Sequence, residues 1–131
     1  MSTPPEELRL VRLIDQGRVD AYADAARDHN PIHVDEVFAA ASPFGTRIAH
    51  GMLVLALVSE LMSAAFGEAW ARSGALKVRW RAPAVPPVNV SARALLRSSS
   101  DGVATYDVSC EAEDGTVLLA GTASVSRGTS A

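Results

Sequence analysis

At Gly74 the rhythm of apolar and polar positions along this chain changes from a helical period to a period of two. Beyond that glycine, Leu76, Val78 and Trp80 alternate with Lys77, Arg79 and Arg81, the two-residue period of a strand with one dry face and one wet one. Pro83 to Pro87 break the run. Three further alternating runs follow: Val88, Val90, Ala92, Ala94, Leu96; then Ala104, Tyr106, Val108, Cys110, Ala112; then Val117, Leu119, Gly121, Ala123, Val125. Asp101-Gly102 and Asp114-Gly115 lie between them, and Asp-Gly pairs supply the positive φ angles of tight hairpin turns. The carboxyl half therefore predicts an antiparallel meander. Only Ser98-Ser99-Ser100 and the tail after Arg127 read as loose.

Ahead of Gly74 the pattern is mostly helical. Leu8, Leu10, Val11, Leu13 and Ile14 form a short apolar run after the Pro4-Pro5 breaker and predict a strand. Val19, Tyr22, Ala23 and Ala26 recur at i, i+3, i+4 and i+7, predicting a short helix capped by Asp15 and ended before Pro31. Asp35 and Glu36 open a second short helical piece through Ala41, and Ser42 to Ile48 follow as a loop. Gly51 to about Ser73 predicts one helix of about 30 Å, apolar on every side from Met52 to Val58 and needing cover on every side. Strand, short helices, long buried helix and four strands make an α+β layer arrangement: one antiparallel sheet curled around a central helix. Its exposed strand edges predict pairing with a second copy, a homodimer.

With 131 residues, 48% of them hydrophobic, the chain can bury one core but not two, so a single domain over 1–131 is expected. Twelve basic and fifteen acidic residues give a net charge of −3, without a block of like charge. That argues against nucleic acid or anionic lipid as a partner. The single cysteine, Cys110, forms no intramolecular disulfide and fits a reducing compartment. The amino terminus has neither the charge nor the apolar stretch of a signal peptide, and no apolar run approaches the roughly 20 residues that span a bilayer. The expectation is a soluble cytoplasmic protein.

Candidate chemistry concentrates in Asp28-His29-Asn30-Pro31-Ile32-His33, where a proline fixes the backbone between a carboxylate and an imidazole. A carboxylate and a neutral imidazole, titrating ordinarily near 3.9 and 6.5, can together hold and polarise one water at pH 7. The same residues also fit a purely structural turn, with Asp28 as a cap and His33 packed beside it. A metal held by His29, His33, His50 and Asp35 is a third reading. Against it, Pro31 interrupts the helix that i, i+4 ligands need and there is no HExxH glutamate. The second element is Ile48-Ala49-His50-Gly51-Met52 at the mouth of the long helix. Unpaired N–H groups there attract developing negative charge, and Gly51 lets a ligand carbonyl approach the backbone. An ordinary glycine near a helix cap fits as well.

Together the two elements resemble a known family. Tyr22, Asp28-His29-Asn30-Pro31-Ile32-His33 and Ala39, followed by Ile48-Ala49-His50-Gly51-Met52-Leu53 and Ser59, look like the hydratase motif of the MaoC-like, R-specific enoyl-CoA hydratases, which have the hotdog fold. Val78-Arg79-Trp80-Arg81-Ala82-Pro83 resembles the strand leading out of the central helix in those enzymes. The resemblance implies reversible addition of water to a trans-2-enoyl thioester of coenzyme A or an acyl carrier protein, giving the (R)-3-hydroxyacyl thioester. It implies that Asp28 and His33 are the catalytic pair, that Asn30 braces the turn, and that the Gly51 N–H binds the thioester oxygen. Ser59 would orient the histidine or the active-site turn. No metal or organic cofactor is implied, because the thioester itself acidifies the α-carbon.

The chain departs from that pattern at Arg27, where the family usually has glycine, and at Pro86-Pro87, in place of a glycine and an acidic residue. The Arg27 guanidinium either weakens Asp28 as a base or points outward, and the outward placement is expected, since adjacent turn residues seldom face the same way. Cys110 lies in the apolar phase of its strand and reads as a core thiol. Trp70 and Trp80 read as core aromatics, with an acyl tunnel as the alternative. Glu60 on the central helix is the residue a hotdog thioesterase would use to activate water. That thioesterase, and an idle acyl-thioester binding subunit spoiled by Arg27, are the alternatives to a hydratase.

Overall fold

The computed structural model describes residues 3–128. Five strands, β1 (Glu7–Ile14), β2 (Ala75–Trp80), β3 (Val88–Ser100), β4 (Val103–Ala112) and β5 (Val117–Ser126), form one antiparallel sheet in the order β1-β3-β4-β5-β2. Five helices lie between β1 and β2: α1 (Gln16–Ala26), α2 (Pro31–Val34), α3 (Glu36–Ala40), α4 (Gly51–Phe66) and α5 (Glu68–Ser73). The sheet holds α4 against β1, β3, β4 and β5, the α+β arrangement read from the sequence. The alternating positions of β3 and β4 face this core: Val90, Ala92, Ala94, Ala104, Tyr106, Val108 and Cys110 are all buried.

Each hairpin closes as its turn residues dictate. Asp101 and Gly102 both take positive φ, 53° and 77°, the requirement of a type I′ turn between β3 and β4. At the β4–β5 turn the Asp114 carboxylate accepts from the Thr116 N–H at 2.9 Å, which holds its pKa below the ordinary value. A shift in strand pairing at Cys110–Glu111 brings Leu118 as well as Leu119 into the core. Ser98–Ser100 are not loose; they continue β3 beyond a bulge after Leu96. The tail beyond Gly128 lies outside the described residues.

Three other features differ from the sequence reading. The long helix stops at Phe66, because Gly67 (φ 55°, ψ −126°) turns the chain before α5. The rod is therefore about 24 Å long rather than 30 Å. Pro31 opens a helical turn, at the first helical position where its missing N–H costs nothing. Finally, α4 is covered on one face only. Leu53, Val54, Leu57, Val58, Leu61 and Met62 are buried, while Ala56 is exposed and Met52 is 57% exposed.

No described helix is long and apolar enough to cross a membrane. Cys110 is buried, and burial pushes its thiol up to about 12, so it packs as a core residue and is not a nucleophile.

Candidate active site

The site begins where α1 ends. The N–H groups of Arg27 and Asp28 both donate to the Ala23 carbonyl, turning the chain out of the helix with Arg27 in the left-handed region (φ 55°, ψ 40°). Asn30 then caps α2 by accepting from the Ile32 N–H at 3.1 Å, and Asp28 accepts from the Asn30 N–H at 3.3 Å. This short turn leaves Asp28 exposed and points His33 inward. Gln16, which the sequence did not single out, donates to the His33 carbonyl at 2.8 Å and ties α2 to α1.

The second half of the site arrives from the far side of the Ala41–Arg47 loop. The Ile48 N–H donates to the Ile32 carbonyl at 3.2 Å, and His33 Nδ1 lies 2.8 Å from the Ile48 carbonyl. A carbonyl only accepts, so Nδ1 carries the hydrogen and His33 Nε2 keeps its lone pair. His50 Nε2 likewise lies 2.9 Å from the Asp28 main-chain carbonyl and must donate to it. The two imidazoles stack at 3.8 Å with 26° between their planes.

Asp28, His33 and His50 thus each bring one polar atom within 4.8 Å of the others. These three also include every metal-capable donor the described cluster offers. One nitrogen of His33 is already committed to the Ile48 carbonyl and one of His50 to the Asp28 carbonyl, so each ring has a single nitrogen left for any ligand. His29 lies outside the cluster, held at 2.8 Å by Asp24 on α1.

Gly51 follows His50 as the first residue of α4, and its N–H has no preceding helical turn to accept it. It opens onto a cavity of about 340 Å³ whose walls include Phe44, Val54, Trp80, Arg81 and Leu118. Trp80 Nε1 donates to the Gly51 carbonyl at 3.0 Å, so that indole packs against the glycine and lines the cavity instead of the core. Ile48 belongs to both the cavity wall and the His33 hydrogen bond, whereas Asp28 and His33 lie beside the cavity and not among its lining residues.

Ser59 is not part of this cluster. Its hydroxyl accepts from the Trp70 indole at 3.0 Å, two turns down α4, and makes no bond to His33. Glu60 is held at 3.0 Å by Arg12 of β1. Arg27 is exposed and forms no ion pair among the described residues. Its significance is conformational, since a left-handed backbone favours glycine and costs a side-chain-bearing residue about 1–2 kcal/mol. Glycine's extra freedom in the unfolded chain offsets part of that gain. Arg27→Gly is therefore expected to stabilise the protein by up to about 1 kcal/mol, raising Tm by about 3 °C without altering turnover. A lowered Tm in a thermal melt would mean that the side chain contributes more than its strain.

A family model described as MaoC like domain matches residues 3–114. The 3-hydroxyacyl-thioester dehydratase Z of Mycobacterium tuberculosis is 43% identical over 94 residues, covering 69% of this chain and 60% of that protein. Nodulation protein N of Rhizobium leguminosarum bv. viciae is 36% identical over 112 residues, covering 77% of this chain and 70% of that one. Among solved structures, an (R)-hydratase from A. caviae superimposes with a TM-score of 0.82 at 24% identity, over 95% of this chain and 96% of that one. The match to the mycobacterial dehydratase leaves two fifths of that relative unspanned.

Proposed function

The chain belongs to the MaoC-like family, and from that premise we propose that it is an (R)-specific hydratase, or in reverse a dehydratase, acting on trans-2-enoyl thioesters. The observation that carries this reading is the convergence of the Asp28 carboxylate on a histidine whose Nε2 is left bare by the Nδ1 bond to Ile48. A water between them meets two acceptors, one for each of its hydrogens. Asp28 takes a proton as the water oxygen adds to the β-carbon, and the electron pair of the double bond moves onto the thioester oxygen. The Gly51 N–H, carrying the positive end of the α4 dipole, supports that charge. Asp28 returns its proton by way of the newly added hydroxyl to His33 Nε2, which gives it to the α-carbon. One molecule of water has then been added and both side chains are restored. The reaction needs no metal or organic cofactor, because the thioester carbonyl is the electron sink.

The product is the (R)-3-hydroxyacyl thioester, carried by coenzyme A or an acyl carrier protein, and the name of the mycobacterial 3-hydroxyacyl-thioester dehydratase supports that substrate class. The thioesterase alternative is weakened by the ion pair that occupies Glu60, and the idle-binder alternative by the outward Arg27. The functional unit is a homodimer of one-domain chains in the cytoplasm. The uncovered face of α4 with Met52, and the half-exposed Trp80 at the end of edge strand β2, give a second copy an apolar surface to bury. With enoyl thioesters of several lengths on both carriers, the enoyl absorbance is expected to fall without release of thiol. Thiol release would assign an esterase instead, and no change on any substrate would leave a binding subunit.

A further inference from the structure

We propose that His50, ahead of the helix glycine, is the positioning residue that sets both members of the Asp28–His33 pair; the inference rests on the hydratase reading above. At 2% exposure it is the buried polar side chain of the described core, and burying an imidazole costs free energy that a hydrogen bond must offset. Its place in the fold offers an obvious use that it declines. As the residue preceding α4 it could cap the helix, yet its side chain makes no cap bond.

The ring turns back toward the first half of the motif instead. Its Nε2–H holds the Asp28 carbonyl at 2.9 Å, fixing the backbone from which the carboxylate springs. Its face lies against His33 at 3.8 Å, while the Tyr22 ring closes on it at 4.8 Å and 56°. One rigid ring therefore locates the acid through its main chain and the imidazole through its plane. Gly51 is its direct neighbour, so the amide that receives the thioester oxygen is indexed to the same residue. Donation to the Asp28 carbonyl places a hydrogen on Nε2, so the neutral form of this ring is the Nε2–H tautomer. The two stacked histidines are thus opposite tautomers: hydrogen on Nδ1 in His33, on Nε2 in His50. Tyr22, Asp28 and His33 are the titratable groups that face it.

The test combines tautomer signals from long-range proton–nitrogen NMR of the imidazoles with steady-state kinetics of two variants. In the wild type near pH 7 the spectra are expected to show the two opposite tautomers. His50→Leu, which fills the space but has no donor, is expected to lower kcat by about 10²-fold with KM changed less than about threefold, as misplacement of a reacting group by an ångström does. His50→Gln, whose amide N–H reaches the place of Nε2, is expected to recover to within about tenfold of wild type. A His50 found charged or as the Nδ1–H tautomer overturns the proposal, and so does a His50→Leu enzyme of undiminished kcat. Should the wild type prove inactive on every enoyl thioester, the hydratase reading is what fails, and the tautomer signals alone decide whether His50 holds the pair.

Discussion

Asp28→Asn is expected to reduce turnover by about 10²–10⁴-fold while leaving the melting temperature nearly unchanged. The carboxylate is exposed, so its loss creates no cavity, and an asparagine oxygen can still accept from the Asn30 N–H. What disappears is the group that takes the proton from water. His33→Ala should cost a similar factor in rate, and more in stability. It leaves the Ile48 carbonyl without its 2.8 Å donor and removes the ring stacked on His50, together worth about 1–3 kcal/mol. Because the two side chains serve one water, the double variant is expected to be little slower than either single one. Single-turnover measurement of the enoyl absorbance with all three variants decides the matter. Two single variants near wild-type rate would remove the pair from the reaction.

Gly51→Pro should separate the amide from the helix it heads. Position 51 is the first residue of α4, where proline is tolerated, and the preceding His50 already sits at φ −61°, ψ 136°, inside the region that a following proline demands. The substitution therefore deletes one N–H without breaking a helix. It also introduces a Cβ that would lie 2.9 Å from Trp80 Nε1, so Trp80, half exposed on an edge strand, has to move. Gly51→Ala introduces the same Cβ and keeps the N–H. Turnover of the proline variant is expected to fall about 10²–10³-fold, the loss of one oxyanion donor, with the alanine variant within about tenfold of wild type. Equal losses in kcat for the two variants would mean that the Trp80 contact matters and the amide does not.

The strand half of this fold is written plainly in its alternation. From Val88 to Ala94 in β3 and from Ala104 to Cys110 in β4 every second residue is buried as read, while Leu96 and Ala112 at the ends of those runs are only half-buried, because a sheet packed on one face alternates between core and solvent. Helix limits are less legible. Nothing local distinguishes Gly67 from a glycine tolerated inside a helix; only its backbone angles, set by how α5 packs, make it a break. Cover around α4 was over-read for a related reason, since an apolar helix does not say whether its second face meets the same chain or another. At the candidate site, the proline turn that holds Asp28, Asn30 and His33 and the helix mouth at Gly51 are legible because both are local features. His50 was weighed only as a metal ligand, because its contacts with residues 28 and 33 span 22 and 17 positions, and no periodic pattern reports them. Ser59 bonds Trp70, eleven positions away, a pairing that the motif spacing does not report. Arg27 was judged by its charge, whereas its backbone angle is what sets it apart.

The stitches between the two motif halves have a further consequence. Ile32, His33 and Ile48 are bonded directly, and Ala49 is anchored on the Ala84 carbonyl at 2.8 Å, so the chain between Ala41 and Arg47 carries none of the alignment. Added loop length costs little in closure entropy, about 0.6 kcal/mol per doubling. Phe44, at the middle of that stretch, nevertheless forms part of the cavity wall. The molecule has in effect an interchangeable cartridge: residues can be spliced in at this point to reshape what the chamber admits, while the machinery behind it keeps its registration.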